Sequence, residues 1–190
     1  MKQKLTLRRV LASAVAALAA AAAVWLLCRW VGYDLQLRIG NGPVYEIAND
    51  DYTQIIDVPE DGLWQAVPLE AGQTLYGCRL RFSTHGELYR AGMVMVDLCD
   101  ADGTILREAA GNYANIFDDN FTGFAFGTAY TAAQAETLYL HIYNVVEWEG
   151  PLGLWASTGT VGALALTADG VDADATLALH LTYSYRKFDG

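Results

Sequence analysis

A run of 19 uncharged residues, Val10–Cys28, constrains this 190-residue chain more than any other feature. Four basic residues precede the run, and the first acidic residue of the chain is Asp34. A helix of this length measures about 28 Å, close to the thickness of the hydrocarbon core of a bilayer. The run therefore predicts a transmembrane anchor over residues 10–31.

The charge pattern also predicts how the chain is oriented. By the positive-inside rule, the basic tail of residues 1–9 lies in the cytoplasm and the remainder of the chain is exported. Residues 32–43 are then a linker, and residues 44–190 form an extracytoplasmic domain. We expect a single-pass protein of the cell membrane, whose first partner is the bilayer itself.

Three alternatives to an uncleaved anchor stay open. A cleaved signal peptide has a shorter apolar core and a small-residue exit site, whereas the bulky stretch 25–30 follows the alanines here. A lipoprotein requires a small residue before its cysteine, whereas Leu27 precedes Cys28. An alanine-rich helix of a soluble protein is the third alternative, and without a polar face it would have to be buried.

The charge of the exported part limits its partners. All 22 acidic residues but only seven of the 12 basic residues lie from Asp34 onward, which gives this part a net charge of −15. Nucleic acids and anionic lipid surfaces attract basic patches, so we expect neither as a direct ligand of the domain. The sequence also contains no cofactor-binding motif, and we expect no cofactor.

The exported part has the pattern of an all-β protein. Turn signals recur about every ten residues, and the segments between them alternate apolar with polar residues or are rich in β-branched and aromatic ones. This predicts an antiparallel two-sheet jelly-roll sandwich preceded by the one N-terminal transmembrane helix. A single helical turn is expected over residues 132–136. The predicted strands are 35–39, 53–58, 63–67, 74–84, 91–99, 104–109, 121–128, 137–145, 152–157, 162–167 and 177–186.

Two cysteines of the exported part could form a disulfide. Alternation places Cys78 with Leu80 on an apolar face, whereas Cys99 lies on the face opposite Val96 and Leu98. Opposite faces oppose a bond, although the pairing stays open. The absence of a CxxC motif or a His–Cys cluster argues against zinc.

Several stretches resemble a jelly-roll domain of bacterial envelope proteins that lies outside the membrane. Such domains are often inserted in polytopic proteins with glycosyltransferase-like membrane parts, and they are similar in fold to carbohydrate-binding modules. The resemblance implies a jelly roll over residues 52–186, with a glycan or an envelope protein as its ligand. The matching stretches are 75–84, 93–103, 118–121 with Phe124 and Phe126, and 152–157.

Two acidic segments invite a calcium interpretation. Asp100-x-Asp102-Gly103 resembles part of a calcium loop, but apolar residues stand at two of the ligand positions, which favours a hairpin turn. Residues 118–120 offer three adjacent oxygen side chains, which need further ligands from elsewhere to hold an ion. We expect no metal site.

The candidate binding residues come from two strands. Tyr139, His141 and Tyr143 form one polar-aromatic stripe, and His180 with its hydroxyl-bearing neighbours forms another. If the two strands share a sheet, the stripes line one concave face on which sugars can stack and form hydrogen bonds. The alternative is an ordinary solvent-facing sheet, since tyrosine and threonine are good strand formers.

The tryptophans divide into two groups. Trp148 lies in a predicted loop and is a candidate contact for a glycan or a protein. Trp64 and Trp155 lie inside apolar strands, which predicts that they belong to the core.

No catalytic motif is present, so we expect a non-enzymatic module. Neither a nucleophile elbow, a zinc-protease motif nor a phosphate loop occurs in the sequence. Two alternatives stay open: an accessory subunit that docks on a polytopic membrane enzyme such as a glycosyltransferase, and a glycoside hydrolase that uses Glu147 and Glu149.

Overall fold

A computed structural model describes residues 7–30, 43–87, 91–145 and 151–185 of the chain. The chain divides into two compact units, Met1–Gly40 and Asn41–Gly190, which are described separately.

The first unit contains one helix, α1 (Leu7–Trp30). Alanine and leucine dominate it, and both have high helix propensity. The structure describes the side chains of residues 15–26 of this helix, and all of them are exposed. Among the residues that the structure describes, no helix is long and apolar enough to cross a membrane.

The second unit is built from strands, with one 3₁₀ turn at Tyr113–Asn115. Its strands are β1 (Pro43–Asn49), β2 (Gln54–Asp57), β3 (Leu63–Leu69), β4 (Thr74–Ser83), β5 (Met93–Cys99), β6 (Ile105–Asn112), β7 (Asn120–Thr131), β8 (Glu136–Asn144), β9 (Gly153–Thr158), β10 (Leu166–Ala168), β11 (Val171–Asp172), β12 (Ala175–Leu177) and β13 (Leu179–Tyr185).

These strands form two antiparallel sheets. Sheet A has the order β1-β13-β4-β9-β12, with β2 added to β9 and β7 added to β4. Sheet B has the order β11-β10-β3-β8-β5-β6. The predicted all-β class and the two-sheet antiparallel sandwich are confirmed.

The core lies between the two sheets and follows the alternation of the strands. On β8, Leu138, Leu140 and Ile142 are buried at positions that alternate with polar residues. The same rule places apolar side chains from both sheets in one cluster that excludes water. Its members include Leu63, Val67, Leu80, Phe82, Val94, Val96, Leu98, Phe124, Leu154, Leu179 and Leu181.

One polar side chain connects the two sheets through this core. Gln65 of β3 is fully buried, and its Nε2 donates a hydrogen bond to the carbonyl oxygen of Leu164 at 3.0 Å. Its Oε1 accepts a hydrogen bond from the backbone N–H of Leu177 at 2.9 Å, on β12 of sheet A. A buried amide is tolerated because both of its ends are paired.

Both cysteines of the sandwich are free and buried. Cys78 lies on β4 in sheet A and Cys99 on β5 in sheet B. Burial raises the pKa of Cys78 to about 12. Burial and the charges of Asp97 and Asp100 raise the pKa of Cys99 to about 11, so both thiols stay protonated at neutral pH.

Four sequence predictions about local structure need correction or a limit. The strand expected over residues 162–167 is wrong over most of its length, since a turn occupies residues 162–163 and β10 begins only at Leu166. The helical turn expected over residues 132–136 is wrong, since a bend there leads directly into β8. The segment Pro43–Asn49 was not predicted as a strand, but it forms β1 because its backbone pairs with β13. The predicted strand over residues 35–39 lies outside the described residues.

Candidate functional site

The predicted stripe on β8 lies on the outer face of sheet B. Tyr139, His141 and Tyr143 alternate with the buried apolar residues of the same strand, and all three are half-buried. Their neighbours on β5 and β3 are fixed by register, since Asp97 and Trp64 both pair with His141. The outer face therefore gathers five polar or aromatic side chains that have no role in the core.

Three of these rings form a continuous stack. The ring centroids of Trp64 and His141 lie 4.0 Å apart with 14° between their planes. Those of His141 and Tyr143 lie 4.6 Å apart with 22° between their planes. We call Trp64, His141 and Tyr143 the aromatic stack. Both faces of the His141 imidazole are covered, so a ligand can contact only the edge of this ring. The rings of Trp64 and Tyr143 form the two ends of the stack.

Next to the aromatic stack lies a buried carboxyl group. Asp97 is fully buried, and its Oδ2 accepts a hydrogen bond from the Tyr143 hydroxyl at 2.9 Å. Its Oδ1 has no hydrogen-bond partner among the described residues. Burial, together with the nearby charge of Glu108, raises the pKa of Asp97 above its ordinary value, although the bond from Tyr143 opposes this shift.

A tight turn fixes the histidine of the aromatic stack. The Nε2 of His141 lies 3.0 Å from the backbone carbonyl oxygen of Asp61, and because a carbonyl oxygen can only accept, this nitrogen carries a hydrogen and donates it. The turn can approach the His141 ring this closely only because the residue after Asp61 is a glycine, Gly62. Gly62 has a φ of +80°, and a Cβ there would lie 2.6 Å from Nε2 of His141.

His180 does not join this face. Its strand, β13, pairs with β1 and β4 in sheet A, whereas β8 pairs with β3 and β5 in sheet B. The condition for a single face that unites the two stripes is therefore not met, because the strands belong to different sheets. On the outer face of sheet A, the ring of His180 stacks on Phe121 with a centroid distance of 4.2 Å.

This second face is rich in arginine and aromatic side chains. The guanidinium groups of Arg79 and Arg81 lie 5.7 and 5.8 Å from the ring centroid of Phe121. Arg81 donates hydrogen bonds to Oδ1 of Asp119 at 2.7 and 3.0 Å. Burial would lower the pKa of Arg81, but hydrogen bonds and charge attraction from Asp119 and Tyr52 raise it. We call Arg79, Arg81, Phe121, Trp155 and His180 the platform.

The tryptophans differ from the sequence prediction. Trp64 and Trp155 are half-buried on the outer faces of the two sheets, so their predicted place in the core is wrong. Alternation explains the error, because their strand neighbours Leu63 and Leu154 are the residues that point inward. Trp148 and its two flanking glutamates lie outside the described residues.

The acidic residues of the two candidate calcium segments accept hydrogen bonds from backbone N–H groups. Oδ1 of Asp100 accepts hydrogen bonds from the backbone N–H groups of Asp102 and Thr104, as in a hairpin turn. Oδ1 of Asp118 accepts one from the backbone of Thr84 at 2.7 Å. Among the described residues, no group of three or more His, Cys, Asp or Glu side chains is placed to hold a metal ion.

Comparisons with known proteins do not assign a family. No family model and no curated protein matches the sequence. Among solved structures, the chain is similar to the VP2 subviral particle of infectious bursal disease virus, with 16% identity and a TM-score of 0.33 over 77% of this chain. It is also similar to the structure of the Gt strain of that virus, with 16% identity and a TM-score of 0.33 over 77% of this chain. For the structure of the Gx strain, the identity is 15% and the TM-score 0.32 over 78% of this chain. The chain spans 38%, 39% and 46% of the length of these three structures, respectively.

Proposed function

We propose that the protein is a non-enzymatic binding module whose β-sandwich, arranged as a jelly roll, recognises a cell-surface glycan on the outer face of sheet B. The observation that carries this proposal is the aromatic stack itself. Three rings on the side of a sheet away from the core do not serve the packing between the sheets. Aromatic rings beside hydroxyl and carboxyl groups can pack against the apolar face of a sugar and form hydrogen bonds with its hydroxyl groups.

The polar groups around the aromatic stack fit the hydroxyl groups of a sugar. The hydroxyls of Tyr139 and Tyr143 can donate or accept hydrogen bonds, and the unpartnered Oδ1 of Asp97 can only accept one while it is ionised. A buried acceptor without a partner costs about 1–3 kcal/mol. A ligand hydroxyl that reaches this oxygen while Tyr143 keeps its bond to Oδ2 would offset that cost.

We further propose that α1 anchors this module in a membrane and that the sandwich lies outside the cell. The support is the sequence: basic residues precede the apolar run, and all acidic residues follow it. Protease added to intact cells should remove the sandwich and leave residues 1–30 with the membrane. Protection of the sandwich from protease would contradict this topology.

A glycan array probed with the full-length protein tests the binding function. We expect retention by a subset of bacterial polysaccharides and a loss of at least about tenfold in affinity for His141→Ala, measured in protein whose circular dichroism shows that the sandwich remains folded. Thr137→Ala is the matched control, since Thr137 is an exposed residue on the same strand and face. No retention by any glycan, or an equal loss in the control, would contradict the proposal.

A further inference from the structure

The connection between β1 and β2 lies across the outer face of sheet A. We call residues 50–53 the strap. Its first end is held by Asn49, which is buried and whose Nδ2 donates hydrogen bonds to the carbonyl oxygens of Thr176 and Leu177 at 3.0 and 3.1 Å. Its second end is held by Thr53, whose backbone N–H bonds to the carbonyl oxygen of Ala156 at 2.9 Å.

Between these ends, two side chains of the strap lie on the platform. The ring of Tyr52 lies 3.7 Å from the guanidinium carbon of Arg81 and meets the ring of Trp155 edge-on, with a centroid distance of 5.9 Å. Oδ1 of Asp50 lies 3.5 Å from Nε2 of His180. The strap thus presents a tyrosine ring to a cation and a carboxylate to an imidazole.

The positive charge of the described sandwich is concentrated on the platform. Among the described residues of the sandwich, the lysine and arginine side chains are Arg79, Arg81 and Arg107. Two of the three therefore lie side by side on the outer face of β4. Arg81 already pairs with Asp119 at 2.7 Å, so the patch is positive only relative to the acidic surface around it, but two guanidinium groups in one place still favour a ligand that carries negative charge.

The strap fits the platform incompletely. Nε1 of Trp155 is covered from solvent and has no hydrogen-bond partner among the described residues, and the Asp50 carboxylate at 3.5 Å is too far from Nε2 of His180 to form a good hydrogen bond. A covered polar group without a well-placed partner weakens the contact that covers it. An extended peptide with better-placed acceptors would therefore compete with the strap, although the strap has the advantage of being tethered.

We propose that the platform is a binding site for an extended acidic segment of a partner protein that carries a tyrosine, and that the strap occupies this site in the free protein. The segment inserts its aromatic ring between Arg81 and Trp155 and places a carboxylate on His180. This site lies on a different sheet from the aromatic stack, so it does not depend on the glycan site.

A labelled peptide that copies residues 48–54 serves as the probe, with fluorescence anisotropy of the full-length protein as the readout. In wild-type protein the tethered strap competes at an effective concentration on the order of millimolar. In the Asp50→Asn/Tyr52→Ala double variant this competitor is weakened. We therefore expect the double variant to bind the peptide at least about tenfold more tightly than wild type.

Two controls make the outcome specific. Asp51→Asn changes an exposed strap residue whose side chain has no contact on the platform, and this variant should bind like wild type. A peptide with the same two substitutions as the double variant should not bind. His141→Ala should leave peptide binding unchanged, whereas glycan retention depends on it.

The proposal is overturned if the double variant binds the peptide no more tightly than wild type, or if the substituted peptide binds equally well. Retention of polygalacturonate but not of the peptide would assign the platform to an acidic polysaccharide and would also overturn it. A failure of the glycan array leaves these outcomes unaffected, so the two proposals fail separately.

Discussion

Tyr143 on β8 donates its hydroxyl hydrogen to Asp97 on the neighbouring strand β5, at 2.9 Å, on the outer face of sheet B. Asp97 has no exposed surface although it faces away from the core. Burial first, and then the bond to Asp97, raise the pKa of Tyr143 to about 12, so the phenol remains a donor at neutral pH. The pair joins β5 to β8 through side chains as well as backbone.

Removing the donor should destabilise the sandwich. Tyr143→Phe leaves both oxygens of Asp97 without a partner, and we expect the free energy of unfolding to fall by about 1–3 kcal/mol. Urea denaturation at neutral pH measures this loss. Tyr139→Phe is the control on the same strand and face. An equal loss in both variants would mean that the bond to Asp97 contributes nothing.

The carboxyl of Asp97 should make stability depend on pH. Its pKa is raised in the folded protein above the ordinary value of 3.8, so the folded state holds a proton that the unfolded state releases. The stability that this group contributes is complete below pH 3.8 and is lost as the pH rises through the folded pKa. We expect wild type to lose stability relative to Asp97→Asn as the pH rises from 3.8 through this raised pKa.

Melting temperatures of the two proteins across this interval give the test. A difference that stays constant with pH would show that the pKa of Asp97 is not raised.

The turn beside His141 should require its glycine. Gly62→Ala combines a φ of +80° with a Cβ that would lie 2.6 Å from Nε2 of His141 and 2.8 Å from the carbonyl oxygen of Ile142. Gly72→Ala is a matched control, since Gly72 has a φ of +79° and nothing within 4 Å of the added atom. We expect the control to lose about 1 kcal/mol of stability and Gly62→Ala to lose at least about 1 kcal/mol more.

Chemical denaturation of both variants separates backbone strain from the contact. Equal losses would show that the turn does not press on His141.

The buried amide of Gln65 should be necessary for joining the sheets. Gln65→Leu keeps a similar volume but leaves the N–H of Leu177 without its acceptor, and we expect a loss of about 2–4 kcal/mol in the free energy of unfolding. Gln54→Leu, at a half-buried position whose amide bonds to the carbonyl oxygen of Ser157, should cost less than about 1.5 kcal/mol. Calorimetry of both variants measures the two losses. Equal falls in melting temperature would contradict a special role for Gln65.

Much of the β architecture was predictable because alternation and turn residues act locally. The hairpin between β5 and β6 follows from two single residues. Asp100 provides a side-chain acceptor for the turn, and Gly103 adopts the positive φ that the turn requires. The strand β1 was not predictable in this way, because Pro43–Asn49 gains its structure from pairing with β13, far away in sequence.

The candidate sites were predictable only in part. The alternation on β8 correctly placed Tyr139, His141 and Tyr143 on one face, but no local signal shows which strands share a sheet, and His180 lies on the other one. The alternation of β3 does carry a signal for Trp64. Leu63 and Val67 form the inward pair, which places Trp64 on the outer face. The burial of Asp97 depends on neighbouring strands and has no local signal.

Intrinsic tryptophan fluorescence of the full-length protein, titrated with the polysaccharide that retains it most strongly on the array, shows whether the outer face of sheet B binds glycan. We expect a saturable change in emission that disappears in Trp64→Phe and persists in Trp155→Phe, because Trp64 ends the aromatic stack and Trp155 lies on the other sheet. A change that persists in Trp64→Phe, or no change at saturating glycan, would contradict a glycan site on the outer face of sheet B.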